Sequence, residues 1–379
     1  MRLVKVLNNK IFNLPLDAAS YFPKYVKHIL DKYLELLKKV DDEYSDIIKK
    51  NLPHAELLCS ELFDITNFIF KGNAALAYNK FSDVINRLEP HLTYPNKTLV
   101  QPNPHYYYKA RKVLEGKFEL LDMFHVPFEK RYYINTYRFS LPGTPCLYLC
   151  NSIYTCWEEL DRPFFPQMPV SRYELIGKNF KFLDLTNQID FVRRTLVPGH
   201  GGIPNWETFL REFELPRLIN NYPLFSVSFM KVYDRMAHFK PEYIFPQMLM
   251  QWIMTKKDLD GVKYLSTKCN SSKFDLHNLE DFSNFAIPIK SFQEKGYCDQ
   301  MSKQMRLTKP MTWEQFNILH PVKASTPIDY KKDIENKFFG PPVMRIKMEN
   351  REISDDYLAT AFGIMEHELK NMPAKSPLS

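Results

Sequence analysis

The apolar residues of this chain change period part-way along, and that change constrains the fold more than any other feature. From about Pro23 to Leu92 they recur at helical spacing, with Val26, Ile29, Leu30, Tyr33 and Leu37 on one stripe and Ala77, Phe81, Val84, Ile85 and Leu88 on another. Charged residues fill the opposite faces, as in KKVDDEYSDIIKK, and Pro53, Gly72 and Pro90 mark expected breaks. The reading is an N-terminal helical region over residues 1–93. The Pro- and Asn-rich stretch from Tyr94 to Pro104 reads as a connection. Beyond it come short β-like runs: Cys146 to Cys150 (CLYLC), Phe180 to Leu185, Val262 to Ser266 and Phe285 to Ile289. Helices are expected at Thr155 to Leu160 and Tyr243 to Met254, the latter closed by Asp260-Gly261. This predicts an α+β unit with a mixed sheet over residues 105–300, then a C-terminal extension over 301–379 with a helix from Ser354 to Leu369 and a frayed PAKSPLS end.

With 379 residues and 45% hydrophobic content the chain can bury the core of one large or two medium domains. Its 51 basic residues sit among 44 acidic ones without a long run of either sign, so the net charge of +7 reads as a mixed solvated surface and not as a nucleic-acid footprint. The N-terminus MRLVKVLNNK lacks an apolar core with a cleavage site, and no stretch approaches the ~20 apolar residues of a membrane span, so a cytoplasmic protein is expected. Cysteines 59, 146, 150, 156, 269 and 298 show no C-x-x-C pair or zinc-finger spacing, and no metal is expected. The segment VPGHGGIPN, Val197 to Asn205, lacks the spacing and lysine of a P-loop and reads as an exposed loop or lid. His200 and His238 read as loop histidines, and Tyr106, Tyr107 and Tyr108 as a packed helix start.

The chemistry concentrates between Met123 and Leu160, MFHVPFEKRYYINTYRFSLPGTPCLYLCNSIYTCWEEL. On CLYLC the side chain of Tyr148 points opposite to Leu147 and Leu149, and Glu158 and Glu159 diverge by ~100° on the helix that follows, so at most one of them faces the same cleft and the other is expected to be solvated. Guanidinium groups can grip a diphosphate, an aromatic ring can stack on a cationic nicotinamide, and a carboxylate can stabilise an oxocarbenium-like ribosyl cation. Surface arginines and half-buried tyrosines are common enough that these residues alone leave the question open.

The string RFSLPGTPCLYLCNSIYTCWEEL, with YIFPQMLMQWI (Tyr243 to Ile253) and DGVKYLS (Asp260 to Ser266) downstream, resembles the RES domain family over roughly Phe124 to Ile289. The resemblance implies an ADP-ribosyltransferase-like fold and an NAD-consuming enzyme, a bacterial toxin or defence-type protein that cleaves the nicotinamide–ribose bond with water or inorganic phosphate as acceptor. It implies catalytic roles for Glu159 and Arg138, and binding of NAD by Arg131, Arg138, Tyr148, Gln247 and Ser266. Arg131 is preferred over His125 for the earlier family arginine, because a neutral imidazole replaces a fixed cation poorly. Where the family usually has a serine shortly before the glutamine of this helix, Tyr243, Ile244, Phe245 and Pro246 precede Gln247, which leaves Ser266 or Tyr243 to supply a hydroxyl. Two other readings stay open: ADP-ribosyl transfer to a protein or nucleic acid, and an inactive NAD-binding regulatory module. NAD enters as substrate, with no prosthetic group. The expected partner is an antitoxin-like protein, unless the N-terminal helices themselves cover the site.

Overall fold

The computed structural model describes residues 1–19, 21–92, 106–113, 118–186, 189, 192–193, 196, 206–268, 283–319 and 361–378. The connection at 94–104 and the loop at 197–205 lie outside the described residues, as does His200. The chain forms two compact units: a helical one (Met1–Leu99, Tyr137–Leu141 and Leu183–Leu259) and a sheet-based one (Val100–Thr136, Pro142–Phe182 and Asp260–Ser379).

The helical unit is built around Leu215–Ser228, a helix in which every residue but Pro216 is buried. Such all-round burial requires a jacket, which Phe22–Lys38, Ser45–Phe70, Ala74–Leu92 and Ile244–Thr255 supply. The stripe Val26, Ile29, Leu30, Tyr33 and Leu37 is buried, and Tyr33 Oη donates to Ile219 O at 2.6 Å. Of the second stripe, Ala77, Phe81, Val84 and Ile85 are buried and Leu88 is half-buried. Pro53 and Pro90 do not break the chain as expected, since both lie inside helices. Pro53 is exposed, and the apolar face of its 26-residue helix carries the helix past the one backbone bond that proline removes. The helix Ile244–Thr255, read above as part of the α+β unit, belongs to this helical unit.

The sheet-based unit is α+β. We number the strands of the chain β1 (Tyr106–Ala110), β2 (Cys146–Cys150), β3 (Val170–Leu175), β4 (Phe182–Asp184), β5 (Gly261–Leu265), β6 (Ser283–Pro288), β7 (Met305–Thr308) and β8 (Ala374–Lys375). They form one sheet in the order β4-β5-β6-β2-β1-β3-β7-β8, antiparallel throughout from β5 to β8. Tyr106 to Tyr108 form a strand and not a helix start. Aromatic rings suit a pleated surface, and here Tyr107 enters one core while Tyr106 and Tyr108 pack in the other. One face of the sheet buries Tyr107, Leu147, Leu149, Tyr173, Phe285 and Ile287. The opposite face buries Tyr108, Cys150 and Val170 against residues of the helices Ile153–Glu159, Trp313–Leu319 and Ala361–Asn371.

The C-terminal residues complete this unit. Ala374 and Lys375 pair with Thr308 and Leu307, so the end expected to fray is an edge strand. The C-terminal helix is described from Ala361 to Asn371; the part expected from Ser354 to Thr360 lies outside the described residues. Among the described residues no helix is long and apolar enough to cross a membrane, and no three His, Cys, Asp or Glu residues converge on a metal position.

Candidate functional site

Glu159 ends the helix Ile153–Glu159, which is fixed at both ends. At its start Ser152 Oγ accepts the N–H of Thr155 at 3.1 Å, and Glu366 Oε1 accepts the N–H of Ile153 at 2.8 Å. At its finish Asp161 and Arg162 adopt left-handed conformations, φ 61° and 54°, which turn the chain sharply back. That turn returns the Arg162 guanidinium onto Glu158, both N–H···O bonds measuring 2.9 Å, and over the Trp157 ring. Glu158 also accepts from Tyr154 Oη. It is therefore not the solvated neighbour expected above. It is buried, its charge matched by a bidentate arginine, and its bonds lock the helix end.

Glu159 points elsewhere. Its Oε1 accepts from Ser266 Oγ at 2.6 Å and from Asn284 Nδ2 at 2.5 Å, and both of these partners are buried. Oε2 accepts no bond among the described residues. Lys268 Nζ donates to the backbone oxygen of Glu159 at 2.5 Å and pairs with Asp161 at 3.0 Å, while the N–H of Lys268 donates to Ser266 Oγ at 3.2 Å. The carboxylate is thus held on one oxygen by two neutral donors, and Lys268 is engaged with a carbonyl and with Asp161.

Tyr148 lies on the same face of the sheet. Leu147 and Leu149 are fully buried on the opposite face, and Tyr148 is half-buried beside Cys146. The register pairs Tyr148 with Ala286 and Cys150 with Asn284, the residue that holds Glu159. The side chains of Tyr148 and Asn284 therefore project from neighbouring strands to one side. Cys146 shares a hydrogen bond with Tyr148, but burial pushes its thiol up to about 12, which makes it a poor nucleophile.

Arg131 is exposed on the turn Phe128–Tyr133, where Nε donates to Gly143 O at 3.0 Å and the guanidinium lies over Phe292. Gly143 takes φ +74°, the conformation that the Pro142-Gly143 turn demands. His125 is a buried structural histidine. Its Nδ1 bonds Val126 O at 2.7 Å and its Nε2 accepts the N–H of Cys298 at 2.9 Å, an arrangement that fits only the neutral ring.

Arg138 and Gln247 lie in the helical unit. The buried guanidinium of Arg138 donates to Ser228 O at 3.1 Å and Met230 O at 2.8 Å and stacks on Tyr243. Gln247 Nε2 donates to Tyr137 O at 2.9 Å and Ser140 O at 3.3 Å. Arg138, Tyr243 and Gln247 are thus brought together, and they fasten the segment Tyr137–Leu141 to this unit. His238 is exposed, as expected.

No family model matches the chain, and no solved structure matches it. Over 318 residues it is 30% identical to the Bacillus subtilis (strain 168) protein named "Putative toxin YopC", a match that covers 80% of this chain and 69% of that one. The chain belongs to the YopC family.

The sequence of this YopC-family chain points to Glu159, Ser266 and Tyr148 but not to Asn284, Lys268 and Glu366, which the structure bonds to Glu159 or to its helix. Asn284 had a visible signal, a lone amide in the strand SNFAIP, every residue of which is buried. Burying an amide without full hydrogen bonding costs about 1–3 kcal/mol, so an asparagine there calls for a reason.

Proposed function

We propose that this YopC-family protein is a toxin that acts by consuming NAD. The toxin reading is supported by the name borne by its Bacillus subtilis relative. The NAD reading is supported by one observation above all, a carboxylate fixed on a single oxygen by Ser266 and Asn284 on the Tyr148 face of the sheet.

In this reading the nicotinamide ring stacks on Tyr148, where an aromatic face favours its positive charge. Glu159 Oε2 lies against the ribose and stabilises the cation that develops as the bond from C1′ to the nicotinamide nitrogen breaks. The electron pair leaves with nicotinamide. Water or inorganic phosphate then forms the new C1′–O bond and gives up its proton. Arg131 is exposed and, among the described residues, hydrogen-bonds through Nε only, so its terminal N–H groups are placed to grip the diphosphate. The substrate pool sets the cytoplasm as the place of action.

The test is nicotinamide release from NAD by the purified full chain, with and without phosphate, beside growth of cells expressing it. Glu159→Gln removes the charge at nearly constant shape and is expected to lower turnover by about 100-fold or more and to relieve growth arrest. Undiminished nicotinamide release in that variant refutes the assignment.

A further inference from the structure

We propose that Asn284 is a positioning residue for Glu159, one that fixes Oε1 so that Oε2 is the oxygen presented to the substrate. The inference rests on the NAD reading for its catalytic consequence, and on geometry for the rest.

Asn284 occupies the middle of the sheet, paired in register with Cys150 on β2 and Tyr264 on β5, and is 2% exposed. Its Nδ2 bonds Glu159 Oε1 at 2.5 Å, while its Oδ1 is buried and accepts no hydrogen bond among the described residues. A strand designed for stability alone would carry an apolar side chain here, as its neighbours Phe285, Ala286 and Ile287 do. The amide makes sense through its other end. Ser266 reaches the same oxygen from the end of β5, so two donors from adjacent strands converge on Oε1 and set the rotation of the carboxylate. A single donor would let the carboxylate pivot about that one bond, whereas two donors from adjacent strands fix its orientation.

Among the described residues, the charged side chains bonded beside this carboxylate are Lys268 and Asp161, which pair with each other, and Glu158, which is paired with Arg162. From the sheet, Cys150 and Tyr264 flank Asn284 in register. A new carboxylate at position 284 would therefore meet Glu159 at hydrogen-bonding distance while Lys268 stays engaged with Asp161 and the Glu159 carbonyl.

Two variants and two measurements test this. In nicotinamide release, Asn284→Ala is expected to lower kcat by about 30-fold while the KM for NAD stays within about threefold, because ground-state contacts survive and orientation does not. Asn284→Asp is expected to move the acidic limb of the pH profile upward by about one unit or more, since two carboxylates at hydrogen-bonding distance share a proton. The Glu159 carboxyl resonance, followed by carbon NMR in the full chain at neutral pH, is expected to move in both variants because its bond from Asn284 is lost. Unchanged kcat and pH limb, together with an unmoved Glu159 carboxyl resonance, would overturn the proposal. If the wild type releases no nicotinamide, the NAD reading fails while the Glu159 carboxyl resonance still decides whether Asn284 holds the carboxylate.

Discussion

Glu366 Oε1 accepts the N–H of Ile153 at 2.8 Å, joining residues 213 positions apart at the N-terminal end of the helix that carries Glu159. A carboxylate there satisfies an N–H that the helix cannot and opposes the positive end of its dipole. Glu366→Ala is expected to destabilise the fold by about 1–2 kcal/mol. Denaturant midpoints would show the loss, and hydrogen exchange should accelerate first at Ile153. Glu366→Gln, which keeps an acceptor but no charge, should lose less.

Two arginines of the motif are expected to behave oppositely. Arg138 donates to two backbone carbonyls from a buried site, so Arg138→Lys, which loses the planar fork, is expected to cost roughly 2 kcal/mol of stability. Arg131 is exposed, so Arg131→Ala should leave the melting temperature unchanged and raise the KM for NAD by about tenfold if it grips the diphosphate. Paired melting and kinetic measurements separate the two roles.

The contrast shows which parts of this protein are legible in its sequence. The stripe from Val26 to Leu37 and the strand CLYLC follow from periodicity, because each buries one face and the pattern is local. The strand from Tyr106 to Ala110 was misread because three consecutive tyrosines suit either period, and only pairing with β2 and β3 decides. Strand β8 is two residues long and exists through its pairing with β7. The divergence of Glu158 and Glu159 is local, and the two carboxylates do bond different partners. The fate of Glu158 depended on the left-handed turn that returns Arg162. Ser266 reaches Glu159 across 107 positions and Asn284 across 125, and no local pattern announces such partners.

His125 should make stability depend on pH. Burial drives its imidazole down from 6.5 to about 4, against the upward pull of its bond to Val126, with Lys109 adding to the depression. The unfolded ring binds a proton more readily than the folded one. The stabilisation is therefore complete above pH 6.5 and is lost as pH falls toward 4. Across that window the loss is roughly 3 kcal/mol. Unfolding free energies measured from pH 7 to pH 4 should fall more steeply in the wild type than in His125→Gln, whose amide does not titrate. Equal slopes would show that the ring is not the titrating group.

Gly261 opens β5 at a point where no side chain fits, because a Cβ there would sit 2.3 Å from Ala286 O on β6. The obstacle is backbone, so it cannot turn aside, and the two strands would have to separate. Gly72 differs: its φ is +81° but nothing lies within 4 Å of the added carbon. Gly72→Ala should therefore cost only about 1 kcal/mol of conformational strain. Gly261→Ala is expected to cost on the order of 3 kcal/mol and to shift β5, which carries Ser266 at its far end, relative to β6, which carries Asn284. Because Glu159 Oε1 needs both donors in register, nicotinamide release should fall further in Gly261→Ala than in Gly72→Ala when both are assayed well below their melting temperatures. If the two variants keep equal activity there, the spacing of β5 and β6 does not control the carboxylate.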